Sequence, residues 1–177
     1  MKKIVFLIWA LVFSLISYGQ NRISLSDAAT VDLPARMQKI NHEDALSFAG
    51  KQFNNEPLIM RSIAKRKMEG VYRAGNLLMF LHYDNKSSTE GHLAQLKKGF
   101  DEWHYRDSTY SAKLENINGN DILIINYVTG NVSNFSFFLY NAKYTRALTG
   151  VLEFNETDKA DASSILNHIL QTVLLKD

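Results

Sequence analysis

The chain has 177 residues, with 20 Lys and Arg against 18 Asp and Glu, a formal charge of +2, and no cysteine. Lack of cysteine excludes disulfides, thiol catalysis, Cys-ligated metals and a lipid attached to a cysteine. The charge excess resides in Lys2 and Lys3. Without them 18 basic residues balance 18 acidic ones, which argues against a nucleic-acid binder.

Residues 1–19, MKKIVFLIWALVFSLISYG, read as a secretory signal peptide. Two lysines precede an apolar run from Ile4, and Ser17 and Gly19 occupy the −3 and −1 positions of a cut before Gln20. The run is shorter than the roughly 20 residues of a spanning helix; an uncleaved anchor is the alternative. No other run is long and apolar enough to span a membrane, so the mature chain, 20–177, is expected to be one exported domain. A bacterial periplasm or the outside of the cell is the expected location.

In chain order, TVDLP (30–34) predicts a strand stopped by Pro34. NHEDALSFAGKQF predicts a helix with Asn41 as its N-cap and Ala45, Leu46, Ala49 and Phe53 on its apolar face. EPLIMRSIAKRKMEG reads as extended structure or loop. GVYR and LLMFLHYD form a hairpin turning at Ala74, Gly75 and Asn76. A second helix follows in TEGHLAQLKKGFDEWHYRD, burying Leu93, Leu96, Phe100 and Trp103. YSAKLENI and DILIINYV are strands joined by Asn118-Gly119, the strongest hairpin signal in the chain. NFSFFLYNAKYTRALTGVLEF contributes two more strands, folding back near Asn141 to Lys143. The last helix, in DKADASSILNHILQTVLLK, buries Ala162, Ile165, Ile169, Leu170 and Val173.

Several strands are apolar on both alternations. Leu77, Met79 and Leu81 oppose Leu78 and Phe80; Ile122 and Ile124 oppose Leu123, Ile125 and Tyr127. A sheet with one wet face would alternate apolar and polar. The expected fold is therefore α+β, an antiparallel β-meander covered by helices on both faces, an α/β/α sandwich. A one-helix, cystatin-like curved sheet is the competing architecture, and it leaves two helical stripes unexplained.

The order of elements resembles the PsbP-like superfamily, which takes in the photosystem II extrinsic protein, a Ran-binding nuclear import factor and bacterial DcrB-like proteins. The residues that carry the resemblance are VDLP, the helix before INGNDILIINYV, FSFFLY, and LTGVLEF leading into ADASSILNHIL, together spanning about residues 28 to 175. The resemblance implies a binding, accessory or chaperone protein, not an enzyme, and transfers no site residue.

Candidate sites are few. His42, His82, His92, His104 and His168 are scattered, with no HExxH, so neither a metal nor a cofactor is expected. His168 falls opposite the buried stripe of its helix and is expected in solvent. DEWHYRD gathers Asp101, Glu102, His104 and Asp107, which would suit general acid–base chemistry if they converged. Helical spacing instead splays them around a solvated helix end. Arg61, Lys65, Arg66, Lys67 and Arg73 form the one local charge bias, opposed only by Glu69. They are candidates for docking an acidic partner. The aromatic stretch divides its rings between two faces, Phe137 and Leu139 on one, Phe138 and Tyr140 on the other. Phe80, Phe138 and Tyr140 would line a pocket between sheet and helix, small Ala147 and Thr149 marking that face as the thinner one. The first functional reading is an exported, non-catalytic module that binds a protein partner. The alternative is a carrier of a small apolar or amphipathic ligand; a hydrolase at His104 ranks third.

Overall fold

Strands that are apolar on both alternations need cover on both sides, and the chain supplies it unequally. The structure, a computed structural model, describes residues 20–66 and 70–176. The signal-peptide reading and Lys67 lie outside the described residues. The elements run β1 (Gln20–Ser26), β2 (Ala29–Pro34), β3 (Gln38–Lys39), α1 (His42–Gln52), α2 (Pro57–Lys65), β4 (Gly70–Ala74) and β5 (Leu77–Asp84). After them come α3 (His92–Trp103), β6 (Ser111–Ile117), β7 (Asn120–Thr129), β8 (Val132–Tyr140), β9 (Ala147–Phe154), α4 (Lys159–Thr172) and β10 (Leu174–Leu175). Seven strands form one antiparallel sheet in the order β3-β4-β5-β9-β8-β7-β6, and β1-β2-β10 form a smaller one.

The register sorts the apolar residues into two layers. Leu77, Met79, Leu81, Ile122, Ile124, Phe137 and Leu139 face one side, packed with Ile165, Ile169 and Leu170 of α4 and with Val31 and Leu33 of the small sheet. We call this the inner face. On the outer face, Leu78 and Phe80 pack under α1 and α2 against Ala45, Ala49, Ile59 and Ile63. Leu123 and Ile125 lie on the same side under α3, beneath Leu93, Leu96 and Phe100. The expected α+β sandwich is the observed one. Local chemistry agrees with it: Asn41 caps α1 by accepting from the Asp44 amide at 2.8 Å. Asn118 and Gly119 take φ of 54° and 80°, the paired left-handed residues of a type I′ turn.

Some segments depart from expectation. Residues 57–65 are helical, not extended: Pro57 opens the helix, Glu56 caps it through the Leu58 amide, and Ile59 and Ile63 bury one turn apart. Asn54 and Asn55, at φ of 52° and 53°, turn the chain between α1 and α2. The β4–β5 turn is two residues, since Ala74 pairs with Leu77. TVDLP is a strand, but it belongs to the small sheet, between β1 and β10. His168 is half-buried, with Nε2 sealed from solvent and lacking a partner, because α4 packs on β2 beside Asp32.

The inner layer is tightest where Phe137 of β8 pairs with Gly150 of β9. A Cβ on Gly150 would lie 2.3 Å from the Phe137 ring and 3.0 Å from Leu81. Glycine is needed here for close approach. Gly150→Ala should cost about 1–3 kcal/mol, the usual range for overpacking. Urea melts should show a lower midpoint with an unchanged slope, and an unshifted midpoint would mean that the ring moves aside freely.

Candidate functional site

The two covers of the outer face do not meet. Helices α1 and α2 lie over β4 and β5, while α3 lies over β6 and β7. Between them runs a strip formed by β9 and β8. His82, Thr149, Val151 and Phe138 are half-buried there, whereas their inward-facing neighbours Leu81, Leu148, Gly150 and Phe137 are fully buried. Cross-strand register fixes the rows: Phe80–Val151–Ser136–Ile125, His82–Thr149–Phe138–Leu123 and Leu78–Glu153–Asn134–Tyr127.

The last of these rows is polar and buried. Glu153 is 0% exposed and Asn134 1%. Arg66, just beyond α2, reaches in: its Nη1 donates to Glu153 Oε1 at 2.7 Å and its guanidinium lies 4.6 Å from the Phe80 ring centre. One residue of the predicted basic patch therefore rests on one residue of the predicted ring set. Arg73 stacks over Phe48 at 4.2 Å and donates to the Gly75 carbonyl, while Arg61 and Lys65 project into solvent from α2. The basic residues thus point in three directions.

The ring set is likewise divided. Phe80 is fully buried under α1 and α2. Phe138 lies 5.9 Å from Phe100 of α3, and Tyr140 stacks on Tyr144 at 5.4 Å with His92 edge-on at 5.7 Å. The β9 strand separates the first ring from the other two, about 10 Å at two strand spacings. The Tyr144 hydroxyl donates to Asp121, and burial with that carboxylate pushes its pKa up to about 12.

At the far end of α3 the structure corrects the placement of Trp103. The buried stripe continues from Leu93 and Phe100 to His104, about 20° from Leu93 around the helix, whereas Trp103 lies about 80° away. His104 stacks on Tyr110 at 4.8 Å and leans on Tyr127 and Phe100, and Trp103 is left 78% exposed. Tyr105 is 71% exposed, and the guanidinium of Arg106 lies 4.9 Å from its ring.

His104 and Asp107 do meet, with Nδ1 3.3 Å from Oδ2, so this pair does not splay. Asp107 also accepts from the Thr109 amide and hydroxyl, which hold its pKa below the usual carboxylate range. Asp101 accepts from Tyr110 and from Lys97, and Glu102 points to solvent. The hydroxyls beside His104, those of Thr109 and Tyr110, are thus already given to carboxylates. The cluster braces the turn after α3. Among the described residues, no group of three or more His, Cys, Asp or Glu is arranged to hold a metal ion. Nor is any described helix long and apolar enough to cross a membrane.

Sequence reasoning missed Glu153 and the exposure of Trp103. A signal existed for the first: in ALTGVLEF a carboxylate sits between Leu152 and Phe154, on a strand apolar on both sides. Such a group needs a buried partner.

Against known proteins, no family model and no curated sequence matches the chain. Solved structures do. The cyanobacterial PsbP (CyanoP) of Synechocystis sp. PCC 6803 matches with a TM-score of 0.55 and 11% identity, covering 89% of this chain and 93% of that one. The Ran-binding protein Mog1p of Saccharomyces cerevisiae matches with a TM-score of 0.50 and 8% identity, over 91% and 97%. The chain shares the PsbP-like fold, as its order of elements suggested.

Burial raises the Glu153 carboxyl above its ordinary value of 4.5, against the opposing pull of Arg66. The folded chain then holds this proton where the unfolded chain has lost it. The stability it contributes is complete below 4.5 and is lost as pH rises through the folded value. The melting temperature of Glu153→Gln relative to wild type should therefore climb between pH 4.5 and 7.5, at about 2–4 °C per kcal/mol. Carboxylates held low, such as Asp32 and Asp101, act in the opposite sense but cancel in this difference. A flat difference across that range would mean that Glu153 ionises as freely folded as unfolded.

Proposed function

We propose that this chain is an exported, non-catalytic binding module that engages a protein partner through the aromatic end of α3. The observation that carries this reading is Trp103, the most exposed large apolar side chain of the described residues at 78%, beside Tyr105 and Arg106. Trp, Tyr and Arg are the residues that dominate interface energetics. Here they are spent neither on the core nor on a cleft. The fold is that of a cyanobacterial PsbP and of a Ran-binding protein, which is compatible with a module that works by contact. The signal-peptide reading of residues 1–19 assigns it to the bacterial periplasm or beyond. Arg61 and Lys65 remain available on α2 as a secondary, electrostatic contact.

The carrier reading has less support. Phe80 lies beneath Arg66, and Phe138 and Tyr140 pack against other rings. A cleft of about 520 Å3 does exist at Ile40, Phe48 and Arg73, but it opens widely to solvent and its wall is part polar. Apolar ligands are held in enclosed, mostly apolar sites.

Without residues 1–19, Trp103 is the only tryptophan. Its emission should be that of a solvated indole and should shift to the blue as the partner binds. In affinity capture from the native envelope, Trp103→Ala should weaken retention about thirtyfold, the loss of a ~2 kcal/mol anchor. Arg61→Glu with Lys65→Glu should have a smaller, salt-dependent effect. Capture unaffected by Trp103→Ala and Tyr105→Ala together would overturn the proposal.

A further inference from the structure

Sheet edges present unpaired N–H and C=O groups, and most proteins blunt them. Three of the four edge strands in the described residues are blunted: β3 and β10 are two residues long, and β1 carries a register shift between Ser24 and Ser26. The fourth, β6, is different. Its seven residues, SAKLENI, pair with β7 without a bulge and contain neither proline nor glycine. Leu114, at its centre, is 46% exposed.

The directions of its backbone groups follow from the turn. In the type I′ turn the Ile117 carbonyl accepts from the Asn120 amide, so Ile117 and Asn120 are a hydrogen-bonded pair. By the alternation of antiparallel ladders, Glu115, Lys113 and Ser111 also point into β7. Ala112, Leu114 and Asn116 therefore direct their N–H and C=O groups away from the sheet.

We propose that β6 is a self-complementary edge through which two copies of this chain pair antiparallel about a two-fold axis at Leu114. Only outward-pointing residues can be hydrogen-bonded partners across such a seam. A register centred on Leu114 opposes Leu114 to Leu114 and Ala112 to Asn116, all of them outward-pointing. The same register sets Lys113 opposite Glu115 and Glu115 opposite Lys113, on the inner-face side. Within one copy these two residues already form an ion pair, Nζ to Oε1 2.6 Å, on the exposed strand. Directly opposed unlike charges stabilise cross-strand pairs and like charges destabilise them. On the outer side the two Leu114 side chains cover each other beside the cleft of about 290 Å3 that Leu114 shares with Leu93 and Ala94. Two-fold symmetry makes the contact isologous and closed, so it ends at the dimer. Seven residues bury less than a standard interface, so the dimer is weak and concentration-dependent.

The experiment is sedimentation equilibrium of the chain from Gln20 at rising concentration. Wild type should pass from monomer to dimer and no further. Leu114→Pro removes only an outward-facing N–H, so the monomer keeps its ladder with β7 and its circular dichroism. It should raise the dissociation constant at least tenfold. Lys113→Glu alone and Glu115→Lys alone should each weaken the dimer about tenfold. Lys113→Glu combined with Glu115→Lys should restore it, because only this register opposes residue 113 to residue 115. A wild type that stays monomeric at high concentration would overturn the proposal. So would a dimer indifferent to Leu114→Pro, or a double variant no better than either single one. Trp103→Ala leaves the β6 seam intact, so its failure to capture a partner bears on the binding proposal alone.

Discussion

Phe137 and Phe138 are neighbours on one strand and cannot enter the same core. Side chains alternate across a strand, so two adjacent large rings require apolar cover on both faces of the sheet. The same demand recurs at Leu77 to Leu81 and at Ile122 to Ile125, and it dictates the layered architecture. Yet the two covers are built differently. The inner one is continuous, a helix seated beside a small sheet, and it seals Phe137, Leu139 and Leu148 completely. The outer one is two separate pieces, α1 with α2 and α3 alone, with half-buried residues of β8, β9 and His82 between them.

That gap accounts for the main polar feature of the interior. Glu153 lies where the α2 cover ends, and Arg66 crosses from α2 to meet it while resting on Phe80. A buried ion pair is not by itself a source of stability, since desolvation offsets the attraction. What the pair does is tie the segment after α2 to the sheet: without Glu153 the Arg66 guanidinium loses its carboxylate partner, and without Arg66 the buried Glu153 carboxyl loses its donor. The cost is visible in Glu153 Oε2, which is buried with no partner. An apolar pair of the same volume would fill the space as well, but without the directional hydrogen bond that links the segment after α2 to β9.

Much of this was legible beforehand. The double alternation of the strands, the Asn41 cap, the Asn118-Gly119 turn and the stripe of α4 are local patterns whose consequences are local, and they predict the main strands, three of the four described helices and the need for cover on both faces. The division of Phe137 and Phe138 between faces follows from the strand period alone. Other features depended on competition between neighbours. Residues 57–65 carry only two buried isoleucines on a nine-residue helix, too short a period to read against its basic tail. Trp103 and His104 both border the apolar stripe of α3, and hydrophobicity alone favours burying the tryptophan. The rings of Tyr110 and Tyr127 receive His104 instead, because they arrive from the loop before β6 and from β7.

The sequence by itself determined β2, the strands β4 to β9, the helices α1, α3 and α4, the two-faced sheet and the absence of thiol chemistry, because periodicity and composition act within a few residues of each other. Tertiary structure decided which cations are free. Arg66 is engaged by a carboxylate 87 positions away, and Arg73 by the ring of Phe48. It also decided which ring faces water and which strand is left on the edge. Those outcomes depend on the strand order β5-β9-β8-β7-β6, which brings β9 between β5 and β8 and leaves β6 outermost. No local pattern encodes that order, since it is selected by how two apolar layers close over each other across the whole chain.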